Sequence, residues 1–190
     1  MGCVLVMGVK SFARKLLLCP YFKPNQNVLG EAKVRHEAFK DQIRKLLESR
    51  GVKCRDEVEI ELPVSRRKGK IDLLCEGDSR VIVVEVKSSR VTDLSLQDFL
   101  QLTLYAYAYS KGNEGVYMSL ELVLAYKGPR DMPVLLKVTE DLKNALGDIA
   151  RSLDERLTGG RESLDPSKPR VLSPLCKLCI SDGCFFKQMT

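Results

Sequence analysis

Two carboxylates and a lysine stand where the sequence can least easily accommodate charge. Asp72 interrupts the apolar run Ile71-Asp72-Leu73-Leu74, and Glu85 interrupts Val81-Ile82-Val83-Val84-Glu85-Val86. A carboxylate inside a buried strand needs a partner, a metal or a shifted pKa. If the two runs form a hairpin turning near Asp78, Asp72 lies beside roughly residues 83–85 of the second strand. Two like charges about 4 Å apart repel by roughly 1–4 kcal/mol at surface-like dielectric values. A divalent cation between them turns that repulsion into binding energy, and oxygen ligands of this kind suit Mg²⁺ or Mn²⁺. Lys87 lies two residues beyond Glu85, so both share one face of the strand. An ammonium there can orient a water for attack or stabilise the charge developing on a phosphorane. The plainer reading of Glu85-Val86-Lys87 is an ion pair at a sheet edge.

Other polar residues stand at suggestive positions. His36 is the one histidine, three residues before Phe39, which places it on the inner stripe of a helix. A hydrogen-bonded core histidine is the alternative. Gln101 and Tyr105 are four apart in an apolar helical segment, so their polar tips share a face. The bland reading is a buried helix whose glutamine is merely satisfied.

The seven cysteines form a second constellation. Cys176, Cys179 and Cys184 are close enough together to read as metal ligands. A fourth ligand is needed: Cys19, in Leu18-Cys19-Pro20-Tyr21, is the best placed, and Cys3 is the runner-up. This ligand set does not separate zinc from iron–sulfur, and a disulfide plus a free thiol is a further alternative. Cys54 and Cys75 fall in or beside strands and read as small buried residues.

These groups need elements to hold them. An apolar stripe of Phe39, Ile43, Leu46 and Leu47 predicts a helix over 30–50, stopped by Gly51. Val58, Ile60, Leu62 and Val64 alternate with glutamates, predicting a half-exposed strand over 57–64. Residues 70–75 and 81–87 predict a hairpin around Glu76-Gly77-Asp78-Ser79. A buried helix follows over 94–110, then strands over 121–126 and 134–138. A last helix spans 140–157, with Leu142, Leu146, Ile149, Leu153 and Leu157 on its inner face. The order is helix, three strands, helix, two strands, helix: an α/β fold with helices packed on a mixed sheet.

Size and charge set outer limits. A chain of 190 residues suits one domain with a substantial core and a small appendage. The net charge of +6 is compatible with a phosphate backbone without requiring one. No apolar run reaches the ~18 residues of a membrane span, so no membrane association is expected. The apolar start is too short for a signal peptide, and Val6 stands where a myristoylation signal wants Ser or Thr. A cytoplasmic protein is expected. Scarce Asn and Gln with 29% charged residues point to a thermophile. An odd cysteine count argues against a full disulfide framework, although some hyperthermophiles use intracellular disulfides. The segmentation is a stretch 1–29, a core 30–157 and a cysteine-bearing tail 158–190.

Asp72, twelve residues, then Glu85-Val86-Lys87 resembles the signature of the PD-(D/E)xK nuclease superfamily, and Gly69-Lys70-Ile71-Asp72 resembles its RecB-like form. Gln101-Leu-Thr-Leu-Tyr105 matches the Q-x-x-x-Y motif of the same nucleases, which carry a metal-binding histidine where His36 stands. From Cys19 to Cys184 the layout looks like that of the CRISPR-associated RecB-like iron–sulfur exonucleases. The resemblance implies a restriction-endonuclease-like core and Mg²⁺ or Mn²⁺ held by His36, Asp72, Glu85 and the Val86 carbonyl. It implies catalytic roles for Asp72, Glu85, Lys87, Gln101 and Tyr105. It further implies a [4Fe–4S] cluster, or a [2Fe–2S] cluster, on Cys19, Cys176, Cys179 and Cys184. The activity implied is 5′ to 3′ cleavage of single-stranded DNA, trimming DNA for CRISPR spacer acquisition with the integrase proteins as partners. A non-cleaving assembly subunit and a general repair nuclease are the alternatives. Phosphate contacts would come from some of Arg66, Arg67, Lys68 and Arg90, with Arg14, Lys15 and Lys23 as further candidates; a solvated charged turn is the plainer reading of Arg66-Arg67-Lys68.

Overall fold

The computed structural model describes residues 8–10 and 26–156. Cys3, Cys19, Arg14, Lys15, Lys23 and the whole tail 158–190, with Cys176, Cys179 and Cys184, lie outside the described residues. The elements run α1 (Gln26–Glu48), β1 (Lys53–Glu61), β2 (Lys68–Glu76), β3 (Val81–Arg90), α2 (Leu96–Tyr109), α3 (Glu114–Ser119), β4 (Leu120–Lys127), β5 (Pro133–Lys137) and α4 (Glu140–Arg156). The expected order is present, with the short helix α3 inserted. Asn113 caps α3 by accepting from the Val116 N–H at 3.3 Å.

The five strands form one sheet in the order β1-β2-β3-β4-β5. All neighbours are antiparallel except β3 and β4, which are parallel and joined through α2 and α3. Helices cover both faces. Phe39, Ile43 and Leu47 of α1 pack with Leu73, Ile82 and Val84 on one side. Leu102, Leu104 and Ala106 of α2 pack with Val83, Leu122 and Leu124 on the other, and Leu146 and Ala150 of α4 join them. The sheet is thus the middle of three layers.

Several local readings change. Helix α1 starts four residues earlier than expected, and Gly51, at φ 82°, still ends it. Strand β1 spans 53–61 rather than 57–64, because its register with β2 carries the pairing back to Lys53↔Glu76. Val64 therefore sits in the following loop and is exposed. On α4, Leu142 and Ile149 are substantially exposed. The inward positions are taken by Leu146, Ala150 and two charged residues, Lys143 and Asp154. Cys54 and Cys75 are not separate small residues: register partners on β1 and β2, they are joined in a disulfide. Facing positions on adjacent antiparallel strands bring the two Cβ atoms close enough to bond.

Candidate active site

The site forms where β2 and β3 part. Their ladder runs from Glu76↔Val81 to Leu73↔Val84 and stops. The next positions in register are Asp72 and Glu85, so the acidic pair falls at the first step where the strands no longer bond. Beyond it β2 stays paired to β1 and β3 to β4, which keeps both strands in place while the gap opens. Asp72 Oδ2 accepts the Val86 N–H at 2.9 Å, replacing a lost ladder bond with a side-chain one.

Each group has a definite environment. His36, on α1, brings Nε2 to 3.6 Å from Asp72 Oδ1, and its side chain is only 21% exposed. Burial pushes the Asp72 pKa up, but His36, Lys10 and the Val86 N–H outweigh it and hold the carboxyl below its ordinary value. Glu85 is fully buried. Burial first, then the charge of Asp72, pushes its pKa up to about 7, with Lys87 and Lys10 pulling the other way. Lys87 Nζ pairs with Glu85 Oε1 at 2.6 Å, while Glu85 Oε2 has no hydrogen-bond partner. Burial alone would lower the Lys87 pKa, but Glu85 and Asp98 outweigh it and raise it, so the ammonium stays charged.

The polar face expected on α2 is present. Lys87 Nζ donates to Gln101 Oε1 at 3.0 Å, and Gln101 Nε2 donates to the Tyr105 hydroxyl at 3.1 Å. Burial raises the Tyr105 pKa, with the charge of Glu85 adding to it, so the phenol keeps its proton. Tyr105 also explains Gly69. A Cβ on Gly69 would lie 2.8 Å from Tyr105 Cε1 and 3.1 Å from Ile60 Cδ1, so only glycine lets the ring close over β2.

A cleft of about 770 Å³ opens beside these groups. His36, Asp72 and Tyr105 reach it, together with Lys10, Lys68 and Lys70, and Glu37, Glu57 and Glu59 line it as well. Of the basic residues expected at a DNA-facing edge, Lys68 is at the cleft. Arg66 is turned to an ion pair with Glu61 at 3.1 Å and, like Arg67 and Arg90, is not among the cleft-lining residues. Lys10 and Lys70 were not anticipated; Lys70 was hidden by its place inside a strand. Asp98 was also missed. A carboxylate three residues before Gln101, in an otherwise apolar helix, is the signal that marks it.

The donor set of one imidazole and two carboxylates suits a divalent cation. Glu85 Oε2, fully buried and without a hydrogen-bond partner, is the observation that fits one, because a buried carboxylate oxygen left unpaired is costly. Among the described residues, no group of three or more His, Cys, Asp or Glu already converges as a metal cage. Glu85 is drawn toward Lys87 instead.

A family model for the PD-(D/E)XK nuclease superfamily matches residues 13–185. Among solved structures, the crystal structure of SSO0001 aligns with 91% of this chain and 82% of its own, at 18% identity and a TM-score of 0.46. No curated protein matches the chain.

Proposed function

The chain belongs to the PD-(D/E)XK nuclease superfamily, and from that premise we propose that it is an exonuclease acting on single-stranded DNA, 5′ to 3′. Membership implies a divalent-metal-dependent phosphodiesterase. The observation that carries the reading is the placement of Asp72 and Glu85 at the first unpaired step between β2 and β3, with Lys87 against Glu85 and His36 against Asp72.

His36, Asp72 and Glu85 would hold the cation, with the Val86 carbonyl as a further ligand. A bound Mg²⁺ or Mn²⁺ supplies an activated water and charge stabilisation for phosphodiester hydrolysis. Lys87 orients the attacking water and balances charge on the phosphate. Tyr105 forms part of the cleft wall past which the strand runs, and the buried Gln101 links its hydroxyl to Lys87. Lys10, Lys68 and Lys70 supply phosphate contacts in the cleft. A cleft lined by these lysines suits the phosphate backbone of a strand threaded through it.

We propose further that Cys19, Cys176, Cys179 and Cys184 hold an iron–sulfur cluster, [4Fe–4S] in preference to [2Fe–2S]. The support is their spacing and the Cys19-Pro20 context. The role proposed is the trimming of DNA before CRISPR integration, alongside the integrase proteins, and its support is the likeness of the whole cysteine and motif layout.

The test is cleavage of end-labelled single-stranded DNA with Mn²⁺ or EDTA, comparing the parent with Asp72→Ala. Metal-dependent degradation that drops at least a hundredfold in the variant is expected, and the position of the label gives the polarity. A parent that binds DNA without cutting it would instead make the chain a DNA-binding assembly subunit.

A further inference from the structure

Lys87 is held by two carboxylates, and only one belongs to the nuclease motif. Besides Glu85, Asp98 meets the ammonium, with Oδ1 3.1 Å from Lys87 Nζ. Asp98 is itself buried, at 7% exposure, in the first turn of α2. Its second oxygen is doubly held: Ser95 Oγ donates to Oδ2 at 2.9 Å, and the hydroxyl of the fully buried Tyr126 donates to the same atom. Ser95 occupies the position before the helix where a serine ordinarily caps backbone N–H groups, yet its side chain makes no cap bond. Its hydroxyl serves Asp98 instead. Two elements thus spend polar side chains on aiming one carboxylate at one lysine.

The geometry has a consequence for the reaction. Lys87 lies 2.6 Å from Glu85, so a divalent cation taken up by Glu85 would push the ammonium away. Gln101 is neutral and offers only a hydrogen bond against that push. Among the described residues, Asp98 is the other carboxylate that pairs with Lys87 besides Glu85. We propose that Asp98 is a positioning residue for cleavage: pinned by Ser95 and Tyr126, its carboxylate keeps Lys87 in place when Glu85 turns to a cation. This rests on the nuclease reading above. The counter-charge matters most in this low-dielectric site, where an uncompensated ammonium is expensive.

The experiment uses the full chain and its Asp98→Asn variant, which keeps the shape and one accepting oxygen but removes the charge. Cleavage kinetics are read as kcat and KM. In parallel, Lys87 accessibility is read by acetic anhydride labelling and peptide mass spectrometry, with and without Mn²⁺. The expected result is a kcat at least tenfold lower, a KM for DNA within twofold, and Lys87 acetylation that Mn²⁺ raises at least fivefold in the variant only. A purely structural role would lower thermal stability and leave the kcat of folded protein alone. A kcat within twofold of the parent, or labelling that Mn²⁺ changes equally in both chains, overturns the proposal. If Asp98→Asn does not fold, Tyr126→Phe and Ser95→Ala each remove one of the two bonds that hold Asp98 Oδ2, and the same kcat loss with unchanged KM is expected at about threefold or more. Failure of the nuclease reading looks different: the parent itself is inactive with Mn²⁺, and the labelling comparison alone then decides whether Asp98 holds Lys87.

Discussion

Glu85 is the residue whose surroundings make least sense without a ligand. It is fully buried beside a second carboxylate, and Oε2 has no hydrogen-bond partner while Oε1 meets only the Lys87 ammonium. Asp154, equally buried, accepts two backbone N–H bonds. The contrast separates a carboxylate that supports structure from one left open for chemistry. A cation that binds the folded chain at a hundred times its Kd stabilises it by about 2.7 kcal/mol, a Tm rise of roughly 5–10 °C for this length. Calorimetric melts with Mn²⁺ or EDTA should show that rise in the parent and lose most of it in Glu85→Gln. An equal rise in both would remove Glu85 from the cation site.

At the scale of elements, the site depends on how closely α2 approaches β2. Gly69 is the contact point, since Tyr105 occupies the space a Cβ would need. Gly69→Ala overpacks that contact and should cost about 1–3 kcal/mol, with a matching loss of cleavage because the Tyr105 ring must move. Urea melts and the end-labelled assay check both. A different joint tests stability alone. Lys143 of α4 is buried and donates to the Met118 and Leu120 carbonyls, at 2.6 and 3.0 Å, where α3 passes into β4. The Tyr117 hydroxyl returns a bond to the Lys143 carbonyl at 3.0 Å. Lys143→Met strands those two carbonyls and should cost about 1–3 kcal/mol. Cleavage per folded molecule should be unchanged, because Lys143 does not reach the cleft. Helical periodicity had placed Leu142 and Ile149 on the inner face of α4. The structure prefers Lys143 and Asp154 there because each finds backbone partners inside.

Across the whole molecule, α4 reaches back to the loop that leads into β2. Asp154 accepts from Val64 N at 2.9 Å and Ser65 N at 2.8 Å, tying together segments some ninety residues apart. That loop delivers Lys68 to the cleft and sets the start of the strand carrying Asp72. Asp154→Ala leaves two N–H groups without partners, at about 1–3 kcal/mol. Hydrogen exchange at Val64 and Ser65 should quicken markedly, while the β3 amides stay protected; unchanged exchange at both residues would show that the loop holds itself. No helix among the described residues is long and apolar enough to cross a membrane.

Alternation, helical stripes and turn residues were enough to reach the α/β class and the element order, because each reports a period set by the local backbone. The pairing of Asp72 with Glu85 was legible for the same reason: a hairpin turn counts residues, and counting puts 72 level with 85. Other features depend on long-range packing, which no local period records. Beyond the step where β2 and β3 part, each keeps its outer neighbour, β2 with β1 and β3 with β4. The disulfide arises because the β1 register extends to Cys54↔Cys75. Asp98 meets Lys87 only because α2 lies over β3, and a carboxylate in the first turn of a helix otherwise looks like an ordinary answer to the helix dipole. The residue types and their intervals were in the chain, but which charge faces which was decided when the layers packed.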